Sequence, residues 1–289
     1  MPRISSKLVR QARAISPRLA PLLRATGSLE RAHSELKWIE NELPRHKWTN
    51  AVNRRACLEP LQYILGSQPF GLLDILCGRG VLIPRWETEE WATAVASIIK
   101  EFESPRILDA CTGTGCIPLL LKHELPHAKV QAFDFSEDAL RLAGLNKEKF
   151  DIDVSFHYGD VFDSNMKFDH PFDLVTANPP YIPINDYERP MLLSGPEKSV
   201  RLYEPRLALV GHLEFYHALV DNIVRALQCS GIVFELGYEE QAQATAEKLG
   251  TAWLCGRYND SAGRLRCVVG WKKGTPMQTL ANLVNGGTL

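Results

Sequence analysis

The sequence predicts an α/β fold, a doubly wound sheet of seven strands with an antiparallel last strand, preceded by a small N-terminal helical domain. From residue 88 onward, short apolar runs alternate with helical windows, the pattern of a parallel sheet with crossover helices. The last two runs are joined by residues 257–264 alone, too few for a crossover of ~10 to 12 residues, so they should pair antiparallel. Before residue 85 the apolar spacing is helical.

In the front section, Leu29, Ala32, Leu36, Ile39 and Leu43 make one stripe of an amphipathic helix that Pro44 closes. A second helix is expected over 53–65, stopped by Gly66, and then short extended pieces around 72–83 with no strand-rich sheet. The linker lies near Pro84. Beyond it the pattern gives a helix at 89–101 and strands at 106–109, 129–134, 154–157, 172–177, 231–236, 252–256 and 265–271. Helices are expected at 115–123, 137–147, 212–228 and 239–249. Residues 272–289 read as a loose tail.

Composition bounds the function. The chain has 289 residues, 45% hydrophobic and 23% charged, which excludes collagenous and wholly disordered classes. No uninterrupted apolar run approaches the ~18 residues of a membrane span. Seven cysteines without a CxxC pair fit neither a disulfide framework nor a zinc knuckle, and buried free thiols are the reading adopted. Charge is uneven: residues 1–60 carry 12 Lys and Arg against 5 Asp and Glu, the rest 21 against 29. The first 29 residues hold six basic side chains (Arg3, Lys7, Arg10, Arg13, Arg18, Arg24) and no acidic one, the composition of a mitochondrial transit peptide. A basic helix that docks on RNA or on a ribosome-associated partner has a similar composition.

Two segments carry chemistry. The first runs from Leu108 to Cys116, a strand end followed by a turn with Gly113 and Gly115, where glycine lets backbone approach a ligand closely. Asp134 ends the next strand, where a carboxylate can accept hydrogen bonds from both ribose hydroxyls. The full GxGxxG is missing, so an adenosyl ligand smaller than a dinucleotide is expected. Asp160, in Gly159-Asp160-Val161 after the third strand, would sit beside its adenine.

The second segment is Asn178-Pro179-Pro180-Tyr181, directly after an apolar strand. Proline offers a carbonyl and no N–H, so the loop is rich in acceptors. The Asn178 side-chain oxygen and the Pro179 carbonyl could each take one hydrogen of a planar amino group while Tyr181 packs on its face. With a sulfonium methyl in line, acceptors that strengthen as charge grows on nitrogen favour the transition state.

Together these segments resemble the class I, Rossmann-like methyltransferases that use S-adenosylmethionine, in the amino-methylating group with an Asn-Pro-Pro-Tyr loop. Glu59 to Gly66, Val81 to Glu89, Asn178 to Pro183, Tyr203-Glu204-Pro205, Phe234 to Gly237 and Gly263 to Val269 are similar to motifs of the HemK/PrmC family, the release factor glutamine N5-methyltransferases. The resemblance spans about residues 55–271. It implies methylation of the glutamine amide in the Gly-Gly-Gln motif of a class 1 peptide chain release factor. It implies a cofactor site of Cys111, Thr112, Gly113, Thr114, Gly115, Asp134, Asp160, Val161 and Asn178, and a catalytic amide site of Asn178, Pro179, Pro180 and Tyr181, with no metal. The expected division is a mitochondrial targeting segment at 1–25, a helical substrate-recognition domain with linker at 26–85, the methyltransferase domain at 86–272 and the tail. A mitochondrial monomer without membrane or stable nucleic-acid binding follows, the cytoplasm being the alternative location.

The sequence departs from the family pattern in places. Trp86 stands where a second proline is usual, Gly211 to Glu214 replace a run of glycines and aspartate, and Val161 is small for a side chain covering adenine. A base-methylating enzyme would ordinarily need a basic groove, whereas this catalytic half is net acidic. A non-catalytic binding module would have no need of the acceptor-lined loop. His212 and His217, five apart, do not share a helix face, and Pro126 breaks the helix between His123 and His127. Two assignments stay open: Glu235 either orients the Asn178 loop or caps the next helix, and Glu87 and Thr88 either touch the methionine part of the cofactor or start a helix.

Overall fold

A computed structural model describes residues 4–168, 171–189 and 196–289. Five helices open the chain: α1 (Ser6–Ile15), α2 (Leu19–Thr26), α3 (Leu29–Glu42), α4 (Trp48–Ala56) and α5 (Leu61–Leu65). The α3 stripe buries Ala32, Leu36 and Ile39, as its spacing requires. They pack with Leu19, Leu22 and Leu23 of α2 and with Ala51 and Val52 of α4 in a core of their own. Residues 6–26, inside the expected targeting segment but for the last, are thus built into this helical unit.

The single helix expected over 53–65 is broken in two. Pro60 has no N–H to continue the ladder and disfavours helical backbone at the residue before it. Leu58 takes a left-handed turn (φ 70°) between the halves. The following extended pieces begin earlier than expected and pair as an antiparallel hairpin, β1 (Ser67–Phe70) with β2 (Leu73–Leu76).

The main sheet has seven strands: β3 (Arg106–Ala110), β4 (Lys129–Asp134), β5 (Ser155–Tyr158), β6 (Leu174–Ala177), β7 (Gly231–Glu235), β8 (Trp253–Asn259) and β9 (Leu265–Lys272). Their order is β5-β4-β3-β6-β7-β9-β8. The first five run parallel, and β9 pairs antiparallel with both β7 and β8. Neighbouring residues face opposite cores. Ile107, Leu174 and Val233 join a core with Trp91, Val95 and Leu120, whereas Leu108, Val175 and Ile232 join Tyr216, Leu219 and Ile223. Both faces are covered, which is why the strands read as continuous apolar runs.

The covering helices are α6 (Trp86–Ile98), α7 (Cys116–Glu124), α8 (Glu137–Phe150), α11 (Leu213–Ala218) and α12 (Glu239–Leu249), with α9 (Ile184–Glu188) and α10 (Lys198–Tyr203) in the loop after β6. Helix α6 starts three residues earlier than expected, at Trp86. Helix α11 continues as a π turn over Leu219–Val224, ending short of residue 228.

The C-terminal segment is not loose. Residues Pro276–Leu283 form a 3-10 helix that buries Met277, Leu280 and Leu283. Three residues per turn put these on one line, a period that a search for 3.6 overlooks.

The order of strands places the chemistry. β3 is flanked by β4 on one side and β6 on the other, so the chain reverses direction of winding there, the position where α/β sheets open a crevice. Ala110 is in register with both Phe133 and Ala177. The Cys111 turn, Asp134 and Asn178, each one residue further on, therefore converge at one end of the sheet.

Candidate functional site

A cleft of about 350 Å³ opens at that end. Of the residues expected to hold cofactor, Cys111, Thr112, Gly113, Thr114, Asp134, Asp160, Val161 and Asn178 line it. Gly115 does not. A Cβ there would lie 2.9 Å from Phe156 and 3.1 Å from Ala143, so its glycine allows helix and strand to pack, not a ligand to approach.

The turn is held from two sides. Thr112 N–H donates to the Phe133 carbonyl at 3.2 Å, and Gly113 N–H to Asp134 Oδ2 at 2.8 Å. The other Asp134 oxygen accepts Ser136 N–H at 2.8 Å. Each carboxylate oxygen keeps a further lone pair for a ligand hydroxyl. Burial nonetheless raises the Asp134 pKa. Below the turn, Asp109 is fully buried, accepts the Thr176 hydroxyl at 2.7 Å, and has its pKa pushed up to about 7 by burial.

Asp160 spends one oxygen on Phe162 N–H at 3.0 Å. Phe162 itself lines the cleft, 48% exposed, with its ring edge-on to Phe215 at 4.9 Å. Phe135 and Phe215 also line it. These three aromatic rings went unmarked in the sequence. They supply apolar planes where Val161 is small, and the one local signal was that Phe135 directly follows the strand-end acid Asp134 and Phe162 comes two residues after Asp160.

Asn178 and Pro180 line the cleft, whereas Pro179 and Tyr181 do not. Asn178 Nδ2 lies 3.3 Å from Thr88 Oγ1. Its carbonyl oxygen Oδ1 is buried and has no hydrogen-bond partner among the described residues. A buried acceptor left open is costly, so such an atom marks a place for a donor from outside the chain. Tyr181 rests its ring against Gly237, where a Cβ would come within 3.1 Å of it, and accepts Gln241 Nε2 at 2.8 Å on its carbonyl. Burial raises the pKa of its hydroxyl. Packing of Tyr181 on a flat group would thus occur beside the cleft, not within it.

The roof is a segment the sequence marked only as motif. Ile83, Arg85, Pro205 and Leu207 line it. Buried Glu204 ties its halves together, accepting Ile83 N–H at 3.1 Å and Arg85 Nη2 at 2.6 Å. Trp86 is 51% exposed next to this clamp. Gly211, in the departing segment, is needed for contact: a Cβ would collide with the Pro180 carbonyl oxygen. Of the two open assignments, Thr88 lines the cleft, while Glu87 pairs with Arg266 at 2.9 Å. Glu235 accepts the Thr88 hydroxyl and the Trp91 indole N–H, each at 2.7 Å.

Residues 90–189 match the family described as Methyltransferase small domain. Mitochondrial MRF1 N(5)-glutamine methyltransferase MTQ1 of Saccharomyces cerevisiae is 40% identical, with 94% of this chain and 90% of that protein covered. The release factor glutamine methyltransferase of Thermodesulfovibrio yellowstonii is 38% identical over 70% of this chain and 71% of its own. Among solved structures, the hMettl16 catalytic domain in complex with MAT2A 3'UTR hairpin 6 superposes with a TM-score of 0.55 at 20% identity, covering 78% of this chain and 83% of that one. That likeness is one of fold.

Proposed function

The chain belongs to the HemK/PrmC family of release factor glutamine N5-methyltransferases, and we propose on that premise how its cleft performs the reaction. The protein uses S-adenosylmethionine and methylates the side-chain amide nitrogen of a glutamine in a release factor. The open Asn178 Oδ1 carries the mechanistic reading.

The cleft fits the cofactor. Asp134 presents a carboxylate at a strand end, the Gly113 turn brings backbone to the rim, and Phe135, Phe162 and Phe215 offer aromatic planes. Bound there, S-adenosylmethionine supplies an electrophilic methyl group on a sulfonium. Asp134 would hold the ribose hydroxyls and Asp160 the edge of the adenine. Asn178 Oδ1 accepts one N–H of the glutamine amide, which turns the nitrogen toward the methyl group. The methyl carbon would leave the sulfonium sulfur, which departs as a thioether, for the amide nitrogen, and the positive charge gained there would strengthen the N–H bond to Asn178 Oδ1 until one proton passes to solvent. Pro180 and the Gly211 contact hold the loop in place, and Tyr181 walls the amide on the side away from the cleft. Among the described residues Asn178 has no hydrogen bond to a charged side chain, in keeping with a nitrogen whose protons become acidic only during transfer.

The glutamine is assigned to the Gly-Gly-Gln motif of a class 1 release factor, and the protein to a mitochondrial monomer. Two relatives named for mitochondria and the basic start of the chain support that location. The helical unit of α1 to α5, joined to the roof through Tyr63 Oη on the Val81 carbonyl at 2.6 Å, is assigned to recognition of the release factor body. Labelled methyl transfer from S-adenosylmethionine tests this, with a release factor, its Gln-to-Ala variant, DNA and RNA offered side by side. Label on the intact release factor alone is expected; label on nucleic acid only would reject it.

A further inference from the structure

Asn178 works only if its side-chain amide faces the right way, since its two ends are nearly equal in size and opposite in hydrogen bonding. Nothing in the Asn-Pro-Pro-Tyr loop decides this. The deciding groups come from two distant elements, Thr88 in the first turn of α6 and Glu235 at the end of β7.

The polarity can be followed atom by atom. The Trp91 indole N–H can only donate, and it points at Glu235 Oε2 at 2.7 Å, so this oxygen is an acceptor. Thr88 has a single hydroxyl hydrogen and spends it on the same oxygen at 2.7 Å. What Thr88 Oγ1 has left is lone pairs. The Asn178 atom 3.3 Å away must then be the amide NH2, and Oδ1 is turned away from Thr88 with no partner among the described residues. The reversed rotamer would set Oδ1 against those lone pairs and lose a hydrogen bond. Glu235 is 1% exposed and Thr88 2% exposed, so water does not replace either partner.

We infer that Thr88 and Glu235 are positioning residues for methyl transfer, acting as a relay from Trp91 that fixes the Asn178 amide with its oxygen toward the substrate nitrogen. The inference rests on the proposed role of Asn178. It also explains why a buried carboxylate is kept here, at the desolvation cost that raises its pKa. Its oxygen takes two donors that no aliphatic side chain could receive.

Three variants and one diffraction measurement test it. Thr88→Val keeps the shape and removes the hydroxyl; kcat for release factor methylation should fall about 100-fold, with KM for the release factor and Kd for the cofactor changed less. Thr88→Ser keeps the hydroxyl and should restore most of the rate. Glu235→Leu removes the acceptor that Trp91 and Thr88 share, frees the Thr88 hydroxyl hydrogen to face either end of the Asn178 amide, and should lower kcat in a protein that still unfolds cooperatively. A Thr88→Val enzyme as fast as the original, or Thr88→Ser as slow as Thr88→Val, would overturn the relay and leave a packing role. Neutron diffraction from the deuterated protein reads the amide directly: deuterium on the Asn178 atom that faces Thr88 is expected, and its absence there rejects the relay whatever the methyl acceptor. If the unaltered enzyme methylates nucleic acid instead, the substrate assignment fails while this measurement still judges the relay.

Discussion

Asp134 Oδ2 accepts the backbone N–H of Gly113 at 2.8 Å, so the acid at the end of one strand is fastened to the turn that leaves its neighbour. Both of its oxygens already serve backbone donors, and the orientation of the carboxylate is therefore set by the protein. Removing the acid should weaken cofactor binding doubly, through the lost ribose acceptor and through the loosened turn. Asp134→Asn should do nearly as much harm as Asp134→Ala, because an amide NH2 would face a backbone N–H. Calorimetric titration with S-adenosylmethionine should show Kd raised about 10- to 100-fold in both variants; a normal Kd for Asp134→Asn would mean that the two backbone bonds do not orient the ligand.

Asp109 gives the fold a dependence on pH. Burial raises its pKa from the ordinary value of about 4 to about 7. A raised carboxyl pKa means that folding favours the protonated form, so its contribution to stability is full below about pH 4 and is lost as pH rises through about 7. Asp109→Asn keeps an oxygen for the Thr176 hydroxyl and cannot ionise. Urea unfolding should find the variant gaining on the original protein from pH 5 to pH 8, by ~2 to 4 kcal/mol at the upper end. A difference that does not change with pH would show that Asp109 does not titrate in this range.

Leu19, Leu22 and Leu23 have no solvent exposure and lie within the first 25 residues. A presequence cut after them would take the middle out of the helical core. The mature chain isolated from cells should therefore begin before Leu19, as read by N-terminal mass spectrometry, and Leu22→Ala should cost ~2 to 5 kcal/mol of stability. A mature protein starting near residue 26, still folded and active, would contradict the assignment of α2 to the core.

Much of this architecture was legible in the chain because single physical rules decided it. Both faces of β3, β6 and β7 are buried, so their apolar runs stand out, and the short link between β8 and β9 left antiparallel pairing as the one outcome. Convergence of the Cys111 turn, Asp134 and Asn178 followed from strand ends that each carried a polar or glycine signal. Other features depend on contacts between residues far apart. Thr88 and Glu235 are separated by 147 positions, and nothing near either one tells that they share a hydrogen bond. Gly115 resembled a ligand glycine because proximity to Phe156 is visible only in three dimensions. The aromatic rings at 135, 162 and 215 and the 3-10 period of the last helix lay outside the patterns of acids, glycines and 3.6-residue helices.

Methyl transfer is proposed to depend on the open oxygen of Asn178, which accepts an N–H of the amide and so holds its nitrogen in place. The most direct measurement of that dependence is single-turnover methylation of the release factor by Asn178→Ala, with cofactor affinity titrated in the same preparation. Turnover should disappear, or fall by at least about 100-fold, while Kd for S-adenosylmethionine moves only modestly. A variant that methylates the release factor at the original rate would contradict the account.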